Sequence, residues 1–140
     1  MLPLQGKRIF ILEDNPMNRV VFQIALVTSG AQVEFERGGK EAVFRLKRLG
    51  QIDLIVLDLL LGNNISGFDV FTEIRQHAEF DHLPIVAVSG VDAQVVMPRT
   101  RQMGFAGFIG KPISEDLFAE QLAQILAGEA IWYDGTLSQG

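Results

Sequence analysis

Residues 54–61 read Leu-Ile-Val-Leu-Asp-Leu-Leu-Leu, an apolar run interrupted by one carboxylate, Asp58. A run this short, rich in branched aliphatics and bounded by Gly50 and by Gly62-Asn63-Asn64, reads as a strand buried on both faces, the pattern of a parallel sheet covered by helices. Asp58 falls where that strand ends. In open α/β sheets the carboxyl ends of the strands form the ligand crevice, so Asp58 is a candidate nucleophile or metal ligand. A lone Asp also caps turns, and its position alone does not separate these roles.

The rest of the chain repeats the pattern. Residues 8–12 (RIFIL) form an apolar run that ends in Glu13 and Asp14, and Pro16 then suits the first turn of a helix capped by Asp14 or Asn15. Val20, Val21, Ile24 and Ala25 recur at helical spacing up to Ser29-Gly30. Residues 32–36 (QVEFE) alternate as a half-exposed edge strand does, and Val43, Leu46 and Leu49 stripe a helix over 40–49. A helix over 67–77 carries Phe68, Phe71 and Ile74 on one face. Residues 85–88 (IVAV) are a second fully apolar run, ending in Ser89-Gly90. Pro98 predicts a short fourth helix with the proline near its start, because a proline inside a helix removes a hydrogen bond and clashes with the preceding turn. A brief fifth strand over 105–109 leads into Gly110-Lys111-Pro112, and Ser114 is placed to cap a final helix with Glu115 and Asp116 in its first turn. Ile131, Trp132 and Tyr133 stand together in the tail, which predicts that they fold back on an apolar surface or meet a partner.

Five strands alternating with five helices predict a doubly wound, five-stranded parallel sheet of flavodoxin-like (βα)5 type, strand order 2-1-3-4-5. The expected organisation is one domain over 1–128 and a tail over 129–140 with no output domain. The 140 residues contain no Cys, which excludes disulfides and thiolate chemistry, and the net charge of −5 argues against sequence-independent nucleic-acid binding. No stretch has the length of a membrane helix and the first residues lack the order of a signal peptide, so the expected location is cytoplasmic, with no membrane partner.

In this topology Glu13, Asp14, Asp58, Ser89 and Lys111 all fall at carboxyl ends of strands and share one crevice. Crowded carboxylates repel unless a cation joins them, and an oxygen-only set with room for water suits Mg²⁺. Lys111 adds a fixed positive charge and Ser89 a hydroxyl, both suited to gripping a transferred phosphoryl group. The chemistry indicated is phosphoryl transfer onto Asp58, with Glu13 and Asp14 as metal carboxylates. Each residue also has an ordinary structural role open to it: turn hydroxyl, surface amine, helix-capping acid.

The order and spacing of ILEDNPMNR, LIVLDLLL, IVAVSG and GFIGKPIS resemble the receiver domain of two-component response regulators, over about residues 7–128. The resemblance, to a chemotaxis-regulator-like, stand-alone receiver, implies that Asp58 is the phosphoacceptor and that Glu13, Asp14, Asp58 and the Leu60 backbone carbonyl hold Mg²⁺. It implies that Ser89 and Lys111 bind the phosphoryl group, that Phe108 is an aromatic rotamer switch, and that the Lys111–Pro112 peptide is cis. Leu60 and Val91 match the positions that set how long the phosphoryl group survives. The implied partners are a histidine kinase or histidine phosphotransfer protein and a downstream protein target. A homodimer through the face made by the fourth helix, fifth strand and fifth helix is also compatible. The implied chemistry is self-phosphorylation and slow self-dephosphorylation only, not enzymatic turnover of an outside substrate.

Two departures from the family pattern stand out: Gly62 replaces a usual proline with Gly67 nine residues after Asp58 instead of eight, and Pro98 lies in the fourth helix. Three other functions fit the topology less well. An aspartyl phosphatase would carry a second acid where Leu60 stands, and a flavodoxin-type protein would not place Glu13-Asp14 against a phosphate. A phosphorylation-independent interaction module would not need all five site residues.

Overall fold

Every residue of β3 (Leu54–Asp58) and β4 (Ile85–Ser89) is buried, as strands covered on both faces must be. The computed structural model describes residues 1–61, 65–90 and 93–135. The remaining elements are β1 (Arg8–Leu12), α1 (Pro16–Val27), β2 (Gln32–Glu36), α2 (Ala42–Leu49), α3 (Gly67–Arg75), a 3-10 turn (Ala78–Phe80), α4 (Ala93–Met103), β5 (Gly107–Gly110), α5 (Glu115–Leu126) and β6 (Ile131–Tyr133). All strand pairs are parallel, in the order β2-β1-β3-β4-β5-β6. The expected order 2-1-3-4-5 is present, but the sheet has six strands where the sequence predicts five. The extra strand is Ile131–Tyr133, the apolar group of the tail, which folds back onto the outer edge of β5.

The sheet separates two cores by the two-residue period of its strands. Phe10, Leu12, Ile55 and Leu57 point to the side covered by α2 and α3, where they meet Leu46, Phe71 and Ile74. Ile9, Ile11, Leu54 and Val56 point to the opposite side, against Phe22 and Leu26 of α1 and Phe118 and Leu122 of α5. Phe22 and Phe118 pair with ring centroids 5.3 Å apart, joining the two helices of that layer.

Local chemistry sets the helix ends near the crevice. Asn15, not Asp14, caps α1: its side-chain oxygen accepts hydrogen bonds from the Met17 and Asn18 amides at 2.9 and 3.2 Å. Ser114 precedes α5 without a capping bond from its hydroxyl. β5 starts at Gly107, later than expected, because Phe105 turns into the core and stacks on Phe71 at 4.1 Å. α4 also differs from expectation, running eleven residues with Pro98 at its sixth position. Packing offsets the lost backbone bond: Val96, Met97 and Met103 lie on the core, and the fully buried Thr100 donates its hydroxyl to the Met97 carbonyl at 2.7 Å. Gly104, at φ 96°, ends the helix.

Gly67 opens α3 directly against the end of β3. A Cβ there would press on the Asp58 carbonyl oxygen and lie 2.6 Å from Leu59 Cα, both backbone atoms that cannot swing aside. Gly67→Ala is therefore expected to destabilise the fold by about 1–3 kcal/mol, as overpacking does. Chemical denaturation checks this, and a midpoint equal to that of the wild type would contradict the fit described.

Candidate functional site

The alternation that divides the core also delivers the polar residues. Continued past the strand ends, the period that sends Ile9 and Ile11 of β1, Leu54 and Val56 of β3, and Ile109 of β5 to the α1/α5 side brings Glu13, Asp58 and Lys111 to that same side. Three strands, β1 and β3 side by side and β5 two places beyond β3, thus converge on one point. Lys111 Nζ donates to Glu13 Oε1 at 2.7 Å and to Asp58 Oδ2 at 2.9 Å. The Leu60 amide donates to Asp58 Oδ1 at 3.0 Å, and the Asn15 amide to Glu13 Oε2 at 3.3 Å. Both Asp58 oxygens are therefore held, and Lys111 is itself fixed by its amide, which donates to the Ser89 carbonyl at 2.9 Å. The Lys111–Pro112 peptide is cis.

Burial and neighbouring charge pull against each other in the crevice. Burial pushes the Glu13 carboxyl above the usual carboxylate range; the hydrogen bond from Lys111 pulls it back, and nearby Asp58 pushes it up again. Burial works against the Lys111 ammonium, but its hydrogen bonds and attraction to Glu13 and Asp58 outweigh this and hold its pKa above the ordinary lysine value. One ammonium thus serves two carboxylates, one of them fully buried.

Glu13, Asp14 and Asp58 each offer an oxygen, and these atoms lie within 4.8 Å of one another. A set of carboxylate oxygens with nothing softer suits a hard divalent ion such as Mg²⁺. The excess negative charge fits it too: with Lys111 counted, three acids still face one base. Bound there, the ion would neutralise charge at the crevice.

Other singled-out residues sit around this centre. Ser89 is buried at the end of β4, on the period of Ile85 and Ala87, hence on the α2/α3 side of the sheet. Phe108 is fully buried in the same layer, one strand further out. Leu60 is 68% exposed at the rim, in a one-residue antiparallel bridge with Ser66. Val91, and Gly62 to Asn64 of the altered loop, lie outside the described residues. The amide contacts of Leu60 and Asn15 were not legible in the sequence, since backbone donors leave no mark on residue type.

A parallel doubly wound sheet with a buried ammonium bridging two carboxylates at its strand ends fits the receiver class of signalling domains. The chain belongs to the response regulator receiver domain family, which residues 9–123 match. It is 33% identical over 120 residues to the polar-differentiation response regulators DivK of Brucella ovis and Brucella abortus, covering 86% of this chain and 96% of theirs. The phosphorylated cyanobacterial phytochrome response regulator RcpA superposes with a TM-score of 0.69 at 28% identity, over 87% of this chain and 89% of its own. Chemotaxis protein CheY4 of Vibrio cholerae shares the fold with a TM-score of 0.77 at 18% identity, over 85% and 98%. Among the described residues, no helix is long and apolar enough to cross a membrane.

Because ionised Glu13 is disfavoured by its surroundings, its raised pKa makes the folded state lose stability as pH rises through that value, and a cation should restore it. Mg²⁺ is expected to raise the melting temperature at neutral pH, by an increment equivalent to about 2.7 kcal/mol at one hundred times its Kd. The increment should shrink on acidification, as protons compete for Glu13, and largely vanish in Asp14→Asn. A melting temperature that ignores Mg²⁺ at neutral pH would argue against the site.

Proposed function

We propose that Asp58 accepts a phosphoryl group from a phosphohistidine, carried by a histidine kinase or histidine phosphotransfer protein, and that the chain then signals through altered binding to a downstream protein. The observation that carries this reading is the Lys111 ammonium lying between Glu13 and Asp58, 2.9 Å from the carboxylate that would gain charge. An Asp58 oxygen forms the new P–O bond while the P–N bond of the phosphoimidazole breaks, its electron pair remaining on the imidazole nitrogen. Lys111 then pairs with the added negative charge, and Ser89, at the end of the neighbouring strand β4, would donate its hydroxyl to a phosphoryl oxygen. Glu13, Asp14, Asp58 and the Leu60 carbonyl would hold Mg²⁺, which supplies charge neutralisation to the transfer. Phe108 is the aromatic that would answer the change at Ser89 from the same layer. The relationship to DivK regulators supports this assignment.

Incubation with a small-molecule phosphodonor and Mg²⁺, followed by intact mass measurement, should give one phosphate adduct, absent in Asp58→Asn. Lack of an adduct with any donor would point instead to a phosphorylation-independent interaction module.

The lifetime of the adduct follows from the rim. Leu60 is apolar and exposed beside Asp58, and Val91 is apolar as well, so neither can orient an attacking water. Slow self-dephosphorylation is expected, with Leu60→Asn and Val91→Glu each speeding decay about tenfold, equivalent to roughly 1.4 kcal/mol of barrier. Equal decay rates in all three proteins would show that access at these positions does not set the lifetime.

A further inference from the structure

β6 is only three residues long, yet β5 is shaped around it. Two of the four β5 residues are glycines whose missing side chains make the room: a Cβ on Gly107 would lie 2.7 Å from the Ile131 carbonyl oxygen, and one on Gly110 2.5 Å from that of Asp134. The register pairs Gly107 with Ile131, Phe108 with Trp132 and Ile109 with Tyr133. Trp132 packs on the core layer that holds Phe108, and the Arg101 guanidinium of α4 sits 4.7 Å from its ring centroid.

The seat is fitted but not fully closed. Ile131, Trp132 and Tyr133 are all half-buried, and a cavity of about 400 Å³ lined by Met97, Pro98, Arg101 and Asp134, among others, opens between α4 and the end of β6. The connection from α5 is four residues, 127–130, with Gly128 at φ 99°. A strand this short, paired along one side only, opens more readily than the core strands do. Its departure would bare a row of backbone donors and acceptors on β5, a template for another strand.

We propose that β6 is a detachable cover on a strand-accepting edge of β5, and that the occupant it holds off is β6 of a second copy of this chain. The edge is matched in direction, register and glycine spacing to Ile131-Trp132-Tyr133-Asp134, and a second copy carries that same segment. Exchange would rebuild every contact and change only the 127–130 connection. At low concentration the tethered strand wins, because a short link gives an effective concentration on the order of millimolar.

Trp132 is the only tryptophan, so its emission reports the seat. In the full-length chain, the wild type should be monomeric with a protected Trp132. Deletion of Glu129 and Ala130, which leaves the tethered strand too short a link to return while every strand contact stays available between copies, should shift emission to the red in dilute solution and raise the dimer fraction at least tenfold at matched concentration, with emission returning toward the blue as dimers form. Gly107→Val should show red-shifted emission at every concentration and stay monomeric, since neither its own strand nor a foreign one can seat. Gly110→Ala guards against a folding defect, because the three nearest neighbours of its Cβ all belong to Asp134 and Gly135, whereas Gly107 also faces Ile125. It should behave as Gly107→Val does, with an unchanged far-ultraviolet circular dichroism spectrum. A protein lacking Glu129 and Ala130 that stays monomeric up to about millimolar concentration, a glycine variant that dimerises as readily as that protein, or native emission in both glycine variants would each overturn the proposal.

Discussion

The crevice depends on a single ammonium group. Glu13 and Asp58 are delivered to one point by neighbouring strands whose register leaves them no alternative, and both are almost removed from water. Two carboxylates in such a place would drive each other toward protonation. Lys111 arrives from β5, two strands beyond β3, and spans both at hydrogen-bond distance. Its position is set by the backbone bond from its amide to Ser89. Among the described residues Asp14 has no ion-pair partner, and its carboxylate stands with Glu13 and Asp58 in a cluster that could hold a further cation.

Much of this was legible before any coordinates, for a physical reason. Parallel strands buried on both faces must be short, continuous apolar runs, so a polar residue at the end of one is conspicuous: Glu13, Asp58, Ser89 and Lys111 all announce themselves this way. α1 and α5 were equally visible, through Pro16 and the acidic first turn after Ser114. What escaped was decided by tertiary contact. Ile131-Trp132-Tyr133 is too short to show a period, and it becomes a strand only because Gly107 and Gly110 leave its backbone room. Pro98 argued for a short helix beginning near it, but the loss of one backbone bond is outweighed by Met97 and Met103 on the core and by Thr100 bonded within it. Phe105 reads as strand from its residue type, yet its ring is spent on Phe71 and Phe68.

The two-sided sheet also divides the singled-out residues between its faces. Glu13, Asp58 and Lys111 lie on the period that faces α1 and α5, while Ser89 and Phe108 lie on the period that faces α2 and α3. On the proposed function, a change of charge at Asp58 would begin on one side of the sheet and would have to reach the other to move Phe108. The strands offer no route through their middles, where β3 and β4 are wholly apolar ahead of Asp58 and Ser89. The ends of β4 and β5 do offer one: Ser89 opposes Gly110 in the ladder, and its carbonyl holds the amide of Lys111. The segment that follows β6 runs close by: a Cβ built on Gly135 would lie 3.5 Å from the Gly110 carbonyl oxygen and 3.6 Å from that of Lys111. On the proposed function, a shift of Lys111 toward a newly charged Asp58 would thus draw on backbone atoms at the ends of β4 and β5 that lie close to the outer edge of the sheet.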